Sequence, residues 1–212
     1  MTAPRRTRVK FCGMTSAQDV ALAVEAGADA IGVILAESVR RVPLERLAEI
    51  AAATPPFVSR VAVLADQGEA EAAPARSLGF TLQFSGGESA QECEALARGA
   101  PYIKVFHLDV ESGAPDPERC AAYARALWMF DSRVPALRGG TGRTFDWRLA
   151  EAAGRARPIV ISGGLTSENV AQCVRVLRPY AVDVRSGIET DGHKDAARMR
   201  AFVTAVAEGD RP

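Results

Sequence analysis

The chain has 212 residues, 48% of them hydrophobic and 25% charged, and its 26 basic and 26 acidic side chains cancel to a formal net charge of zero. That length suits one large domain or two small ones, and the composition is that of a soluble globular protein rather than a disordered one. The balanced charge argues against a nucleic-acid binder, which would show a basic excess, but leaves room for a local anion site.

No run approaches the roughly 20 apolar residues of a membrane helix, and the N-terminal MTAPRRTR leads straight into VKFC without a signal-peptide apolar region. A cytoplasmic location with no membrane partner is the expectation. Cys12, Cys93, Cys120 and Cys173 are scattered, with no CxxC pair, and His107 and His193 are the only histidines. A disulfide framework, a zinc site or a histidine-rich metal centre is therefore not expected.

Eight apolar, β-branched-rich runs recur along the chain: Arg8–Cys12, Ala30–Leu35, Arg60–Ala65, Thr81–Ser85, Tyr102–Leu108, Leu127–Ser132, Pro158–Ser162 and Ala181–Arg185. Between them apolar residues fall at helical spacing, as in Val20, Ala23 and Val24, then Leu44, Leu47, Ile50 and Ala51, and later Val170, Cys173, Val174 and Leu177. Ser16 with Asp19, Asp146, and Thr166 or Ser167 stand where N-caps belong, and Gly27 and Gly79 where the first and third helices end. The fourth and fifth helices, around Ser89–Arg98 and Asp116–Tyr123, are the weakest. Strands alternating with helices give right-handed βαβ units and a parallel sheet. Eight units of roughly 26 residues each predict a compact (β/α)8 barrel, since an open doubly wound sheet typically needs only five or six strands. With no linker or composition shift, residues 1–212 read as one domain. Its ordered core spans about 8–207, with mobile tails before Arg8 and after Val206.

In such a barrel the active site lies where the strands end. Those ends carry Cys12-Gly13, Gln83 to Ser85, Asp131-Ser132, Ser162-Gly163-Gly164, and Asp183 to Gly187. A thiol and a carboxylate on different strands make an acid–base pair. The small residues after the seventh and eighth strands let backbone N–H groups approach an anion, at the usual barrel phosphate site. Alone, each of these features has a plainer reading: glycines turn chains, a lone cysteine fills a core, and an aspartate caps a turn. The segment Gly139 to Phe145, with Gly140, Thr141 and Gly142 at its centre, reads as a loop that closes over a ligand. Residue chemistry alone thus leads to a phosphate-binding barrel enzyme that transfers protons.

The motifs Val9-Lys10-Phe11-Cys12-Gly13-Met14-Thr15, Ala26-Gly27-Ala28-Asp29-Ala30-Ile31-Gly32, Gly139 to Trp147, Ser162-Gly163-Gly164-Leu165 with Glu168-Asn169-Val170, and Asp183 to Glu189 with Lys194-Asp195 occur in this order. Together they resemble the phosphoribosylanthranilate isomerases of tryptophan biosynthesis across nearly the whole chain. The resemblance implies a (β/α)8 barrel with no cofactor and no metal. Its reaction is an Amadori rearrangement of an aminoaldose phosphate, so the partner is a small phosphosugar. Carried over, Cys12 is the general base and Asp131 the general acid, and Gly163, Gly164, Ser186 and Gly187 hold the phosphate. Arg40 reaches the anthranilate carboxylate, with Gln83 and Asp183 also on the substrate.

The acid role requires a protonated Asp131, which burial or a neighbouring negative charge favours, and the base role favours a Cys12 pKa lowered from about 8.5. Three departures stand out. Gln83-Phe84-Ser85-Gly86 replaces the usual Gln-Leu-His-Gly and so removes an imidazole. Arg185 replaces the first serine of Asp-Val-Ser-Ser-Gly, adding a cation beside the phosphate or obstructing the substrate space. Leu35-Ala36-Glu37-Ser38 lacks the usual Pro-Lys. Other readings are the sister isomerase of histidine biosynthesis, which is associated with an aspartate at the end of the first strand, a barrel that binds such ligands without turnover, and a redox role for Cys12, which lacks a resolving cysteine nearby. A monomer is the plain expectation, with a homodimer the alternative.

Overall fold

The structure is a computed structural model that describes residues 6–108, 116–132, 150, 153–154 and 157–211. Eight parallel strands close into a barrel in sequence order: β1 Arg8–Cys12, β2 Ala30–Ile34, β3 Ser59–Leu64, β4 Thr81–Phe84, β5 Ile103–Leu108, β6 Leu127–Ser132, β7 Ile159–Ser162 and β8 Ala181–Val184. The last strand pairs back on the first, with Lys10 in register with Asp183. The expected (β/α)8 architecture is therefore present, and each expected strand end lies within about one residue of the observed one. Among the described residues the helices are α1 Ala17–Ala26, α2 Leu47–Ala53, α3 Glu69–Ser77, α4 Ala90–Ala97, α5 Pro117–Ala121, α6 Val170–Leu177 and α7 Ala196–Gly209.

Local chemistry explains these boundaries. Ser16 caps α1 by accepting the Asp19 N–H at 3.1 Å, and Gly27 ends it with φ at 98°, a left-handed conformation open to glycine. Ser89 and Glu92 form a capping box on α4, and Asp195 caps α7 through the N–H groups of Ala197 and Arg198. Neither Thr166 nor Ser167 caps α6. The Asn169 side chain accepts the Thr166 N–H at 2.9 Å, and this turn delays the helix to Val170. The proposed cap Asp146 lies outside the described residues.

Strand residues alternate between two cores, because successive side chains point to opposite faces. Outward-facing Phe11, Phe84 and Phe130 are buried against the helices, with Phe11 edge-on to Phe202 of α7 at 6.1 Å. Each such buried ring contributes about 2–3 kcal/mol. Inward-facing Val61, Ile103, Val105, Met129, Val160 and Ala181 fill the lower barrel. Above this apolar layer the inward positions carry Cys12, Gln83, His107, Asp131, Ser162 and Asp183.

The segment before β1 is tied to the last helix. Thr7 is buried, its N–H donates to Asp210 Oδ2 at 2.7 Å, and its hydroxyl bonds Oδ1 of the same carboxylate at 2.7 Å. Helix α7 continues to Gly209, next to Asp210.

Candidate active site

A cavity of about 300 Å3 opens at the C-terminal ends of the strands. It is built from the top inward-facing position of each strand. Cys12 comes from β1, Gln83 from β4, His107 from β5, Asp131 from β6, Ser162 from β7 and Asp183 from β8. Gly163, Gly164 and Ser186 line it beside them.

Two polar groups hold the floor. The Lys10 ammonium donates to Asp183 Oδ1 at 2.6 Å, and the Ser162 hydroxyl donates to Asp183 Oδ2 at 3.2 Å. Burial disfavours the ammonium, but the Asp183 carboxylate and the nearby Cys12 sulfur outweigh it and hold the Lys10 pKa above its ordinary value. The expectation of a lowered Cys12 pKa is not met. Burial pushes this thiol up, Lys10 pulls it down, Asp183 pushes it up again and Lys194 pulls it down, leaving it above its ordinary value. Sequence proximity to Lys10 would suggest the opposite sign, but desolvation outweighs it.

Asp131 is not buried: its side chain is 31% exposed. Among the described residues its ionisable neighbour is His107, with Nδ1 3.4 Å from Asp131 Oδ2. An imidazole stands beside Asp131 nonetheless, because His107 on the neighbouring strand β5 is in register with it. Sequence reasoning missed it, although the alternation Ile103, Val105, His107 points it inward. The same period would have found Lys10, two residues before Cys12. Gln83 Nε2 donates to the Ser85 hydroxyl at 3.2 Å, leaving its buried Oε1 without a partner among the described residues.

After β7, Gly163 and Gly164 both have positive φ, at 89° and 63°. After β8, a short 3-10 turn spans Ser186–Ile188. Gly187 lies outside the cavity wall but packs beneath it, where an added Cβ would sit 2.2 Å from the Leu165 carbonyl oxygen. Successive backbone N–H groups in such turns form a concavity suited to an anion. Arg185 is exposed at the cavity mouth, with its side chain over Gly13. It therefore sits at the rim, away from the floor where it would obstruct the barrel.

Arg40 does not line the cavity. Its Nε and Nη2 bond the two carboxylate oxygens of Glu189 at 3.3 and 3.1 Å. Lys194 also donates to Glu189 at 2.8 Å and to the Cys12 carbonyl at 2.7 Å. Burial alone would raise the Glu189 carboxyl, yet the two cations hold it below its ordinary range. Gly140, Thr141 and Gly142 lie outside the described residues. Among the described residues no three His, Cys, Asp or Glu side chains are placed to hold a metal ion, and no helix is long and apolar enough to cross a membrane.

The family model for N-(5'phosphoribosyl)anthranilate (PRA) isomerase matches residues 9–205. The chain belongs to that family. It is 43% identical to the PRA isomerase of Chromohalobacter salexigens over 218 residues, covering 100% of both chains, and 44% identical to that of Pseudomonas fluorescens, covering 94% of this chain and 98% of the relative. Among solved structures it resembles the PRA isomerase of Thermotoga maritima with a TM-score of 0.83 and 34% identity, over 95% of this chain and 98% of the other. A PRA isomerase in complex with reduced 1-(o-carboxyphenylamino)-1-deoxyribulose 5-phosphate matches with a TM-score of 0.81 and 32% identity, over the same shares. Family membership makes this chain an aldose–ketose isomerase of tryptophan biosynthesis.

Proposed function

We propose that Cys12 and Asp131 perform the Amadori rearrangement of N-(5-phosphoribosyl)anthranilate as general base and general acid. The observation that carries this reading is one cavity lined by a β1 thiol, a β6 carboxyl and the paired small-residue turns after β7 and β8. The ligand of the solved relative, a reduced form of the expected ketose product, supports the substrate.

In the first step the anthranilate nitrogen pushes its lone pair into a C1=N bond. The C1–O bond breaks, and the ring oxygen keeps its electrons and takes the Asp131 proton. The cationic Schiff base acidifies the C2 proton, which Cys12 removes as thiolate. The C2–H electrons form C1=C2 and the nitrogen regains its pair. The enolamine then relaxes to the ketose as C1 takes a proton and the C2 hydroxyl gives one up.

The buried thiol needs help to ionise, and Lys10 is the cation at hand. The phosphate binds the N–H groups around Gly163, Gly164, Ser186 and Gly187, with the ribose against Gln83 and Asp183. Arg40 leaves Glu189 to pair with the anthranilate carboxylate, for which its planar fork is suited.

The test is the decay of phosphoribosylanthranilate fluorescence on adding protein, alongside Asp131→Asn and Cys12→Ser. General acid and base groups each contribute about 10^2–10^4-fold. Turnover by the wild type with losses of that size in both variants is expected. Near-native turnover in either variant would overturn that residue's role.

A further inference from the structure

We propose that His107 is the proton-holding partner of Asp131, so that the acid of this reaction is a two-residue unit. The inference rests on the reading of Asp131 as general acid and goes beyond it, because it assigns a role to a residue of β5.

The geometry fixes the imidazole. His107 Nε2 lies 2.8 Å from the Ser85 carbonyl oxygen. A backbone carbonyl can only accept, so Nε2 carries a hydrogen. In the neutral ring Nδ1 therefore presents a lone pair. That atom is buried, has no hydrogen-bond partner among the described residues, and stands 3.4 Å from Asp131 Oδ2. A lone pair 3.4 Å from an ionised carboxylate is repelled by it, and a proton on either group relieves that repulsion. The proton rests either on the carboxyl or on Nδ1, and both forms have the same net charge.

This arrangement answers a difficulty in the chemistry. A carboxyl at the ordinary aspartate pKa of about 4 holds its proton in about one molecule in a thousand at neutral pH. An imidazole keeps one to far higher pH, ordinarily about 6.5. A carboxyl and imidazole in contact titrate as one coupled unit, so a proton on either group is available to the reaction. When the ring oxygen takes the proton, the unit is left as neutral His107 and Asp131 carboxylate. It is recharged by one proton from the enol hydroxyl or water.

Other groups facing the imidazole leave this pairing intact. Cys12 on β1, Asp183 on β8, Glu37, and Arg185 at the mouth line the same cavity. Asp183 is engaged by Lys10 and Ser162. Lys104 on β5 is turned to Glu88 and the Gly86 carbonyl. Among the described residues only Asp131 comes within ion-pair distance of His107. Because His107 acts through Asp131, it is a positioning residue.

His107→Gln tests the proposal, because the glutamine amide can keep the donation to Ser85 but has nothing in place of Nδ1. At pH 7.5 kcat falls about 10–100-fold, and KM changes less than about threefold. The break in log kcat against pH that belongs to the acid moves down by about one unit or more, while the break set by Cys12 stays. A deficit that is constant across pH would overturn the proposal. A second measurement is independent of turnover. With only two histidines in the chain, 15N-histidine NMR resolves His107 from His193. In Asp131→Asn the His107 Nδ1 signal at pH 7.5 moves and those of His193 do not; an unmoved His107 would overturn the pairing. Full turnover in Asp131→Asn would instead remove the acid assignment. An inactive Asp131→Asn with an unshifted break in His107→Gln would remove only the role of His107.

Discussion

Lys10 and Asp183 face each other across the seam where β8 meets β1, with Nζ 2.6 Å from Oδ1 and both side chains buried. The pair closes the barrel from the inside and sets the electrostatic balance around Cys12, since the cation lowers the thiol pKa and the carboxylate raises it.

Lys10→Met separates these effects. Removing one partner of a buried pair leaves an uncompensated charge and costs about 3–5 kcal/mol, readable as a lower urea midpoint. It also removes the cation that draws Cys12 down. The break in the pH profile of kcat that belongs to Cys12 moves up by about one pH unit or more in the folded protein. An unchanged break would mean that Lys10 is only structural.

Arg40 is engaged by Glu189 before any substrate arrives. Arg40→Ala therefore acts on affinity, because the carboxylate it is proposed to hold does not react. A charge-assisted bond of about 1.5–3 kcal/mol corresponds to a KM increase of about 10–150-fold, with kcat nearly unchanged. Steady-state kinetics would show this directly; a loss confined to kcat would assign Arg40 elsewhere.

Two glycines near the proposed phosphate site differ in kind. At Gly187 a methyl group would collide with the Leu165 carbonyl, so Gly187→Ala shifts the loop after β7 and costs about 1–3 kcal/mol. At Gly164 there is open space but φ is 63°, so Gly164→Ala costs about 1 kcal/mol of backbone strain. Competitive inhibition by inorganic phosphate weakens more in Gly187→Ala than in Gly164→Ala. The reverse order would place the anion away from this loop.

The remaining thiols predict alkaline sensitivity. Burial pushes Cys93 and Cys173 up to about 12 and Cys120 to about 11. The folded state keeps these protons while the unfolded chain releases them above its own thiol pKa, near 9. Stability is therefore full below that value and declines above it, by about 1 kcal/mol per thiol at one unit higher. Under reducing conditions Tm falls between pH 8.5 and 10.5. Replacing Cys93, Cys120 and Cys173 by alanine flattens that fall, though at a cost in packing. An equally steep fall in the triple variant would place the alkaline effect elsewhere.

The strands were legible because their β-branched runs are bounded by polar residues and glycines, and Cys12 and Asp131 followed from reading strand ends. Lys10 escaped because it lies two residues below its strand end, whereas His107 was passed over although it stands as near the end of β5 as Asp131 does of β6. The Arg40–Glu189 pair joins residues 149 positions apart, which no local pattern encodes. The sign of the Cys12 shift depends on how dry its surroundings are, a property of the closed barrel alone.

The contact between Thr7 and Asp210 spans 203 positions of chain. Contacts this remote carry the largest loop-closure cost, which slows their formation. The cavity inherits that timing, since its floor unites Lys10 and Cys12 from the earliest strand with Asp183 from the last. A nascent or partly folded chain can hold several packed βα units and still have no floor. The site is therefore complete only when the final strand and helix are docked on the first.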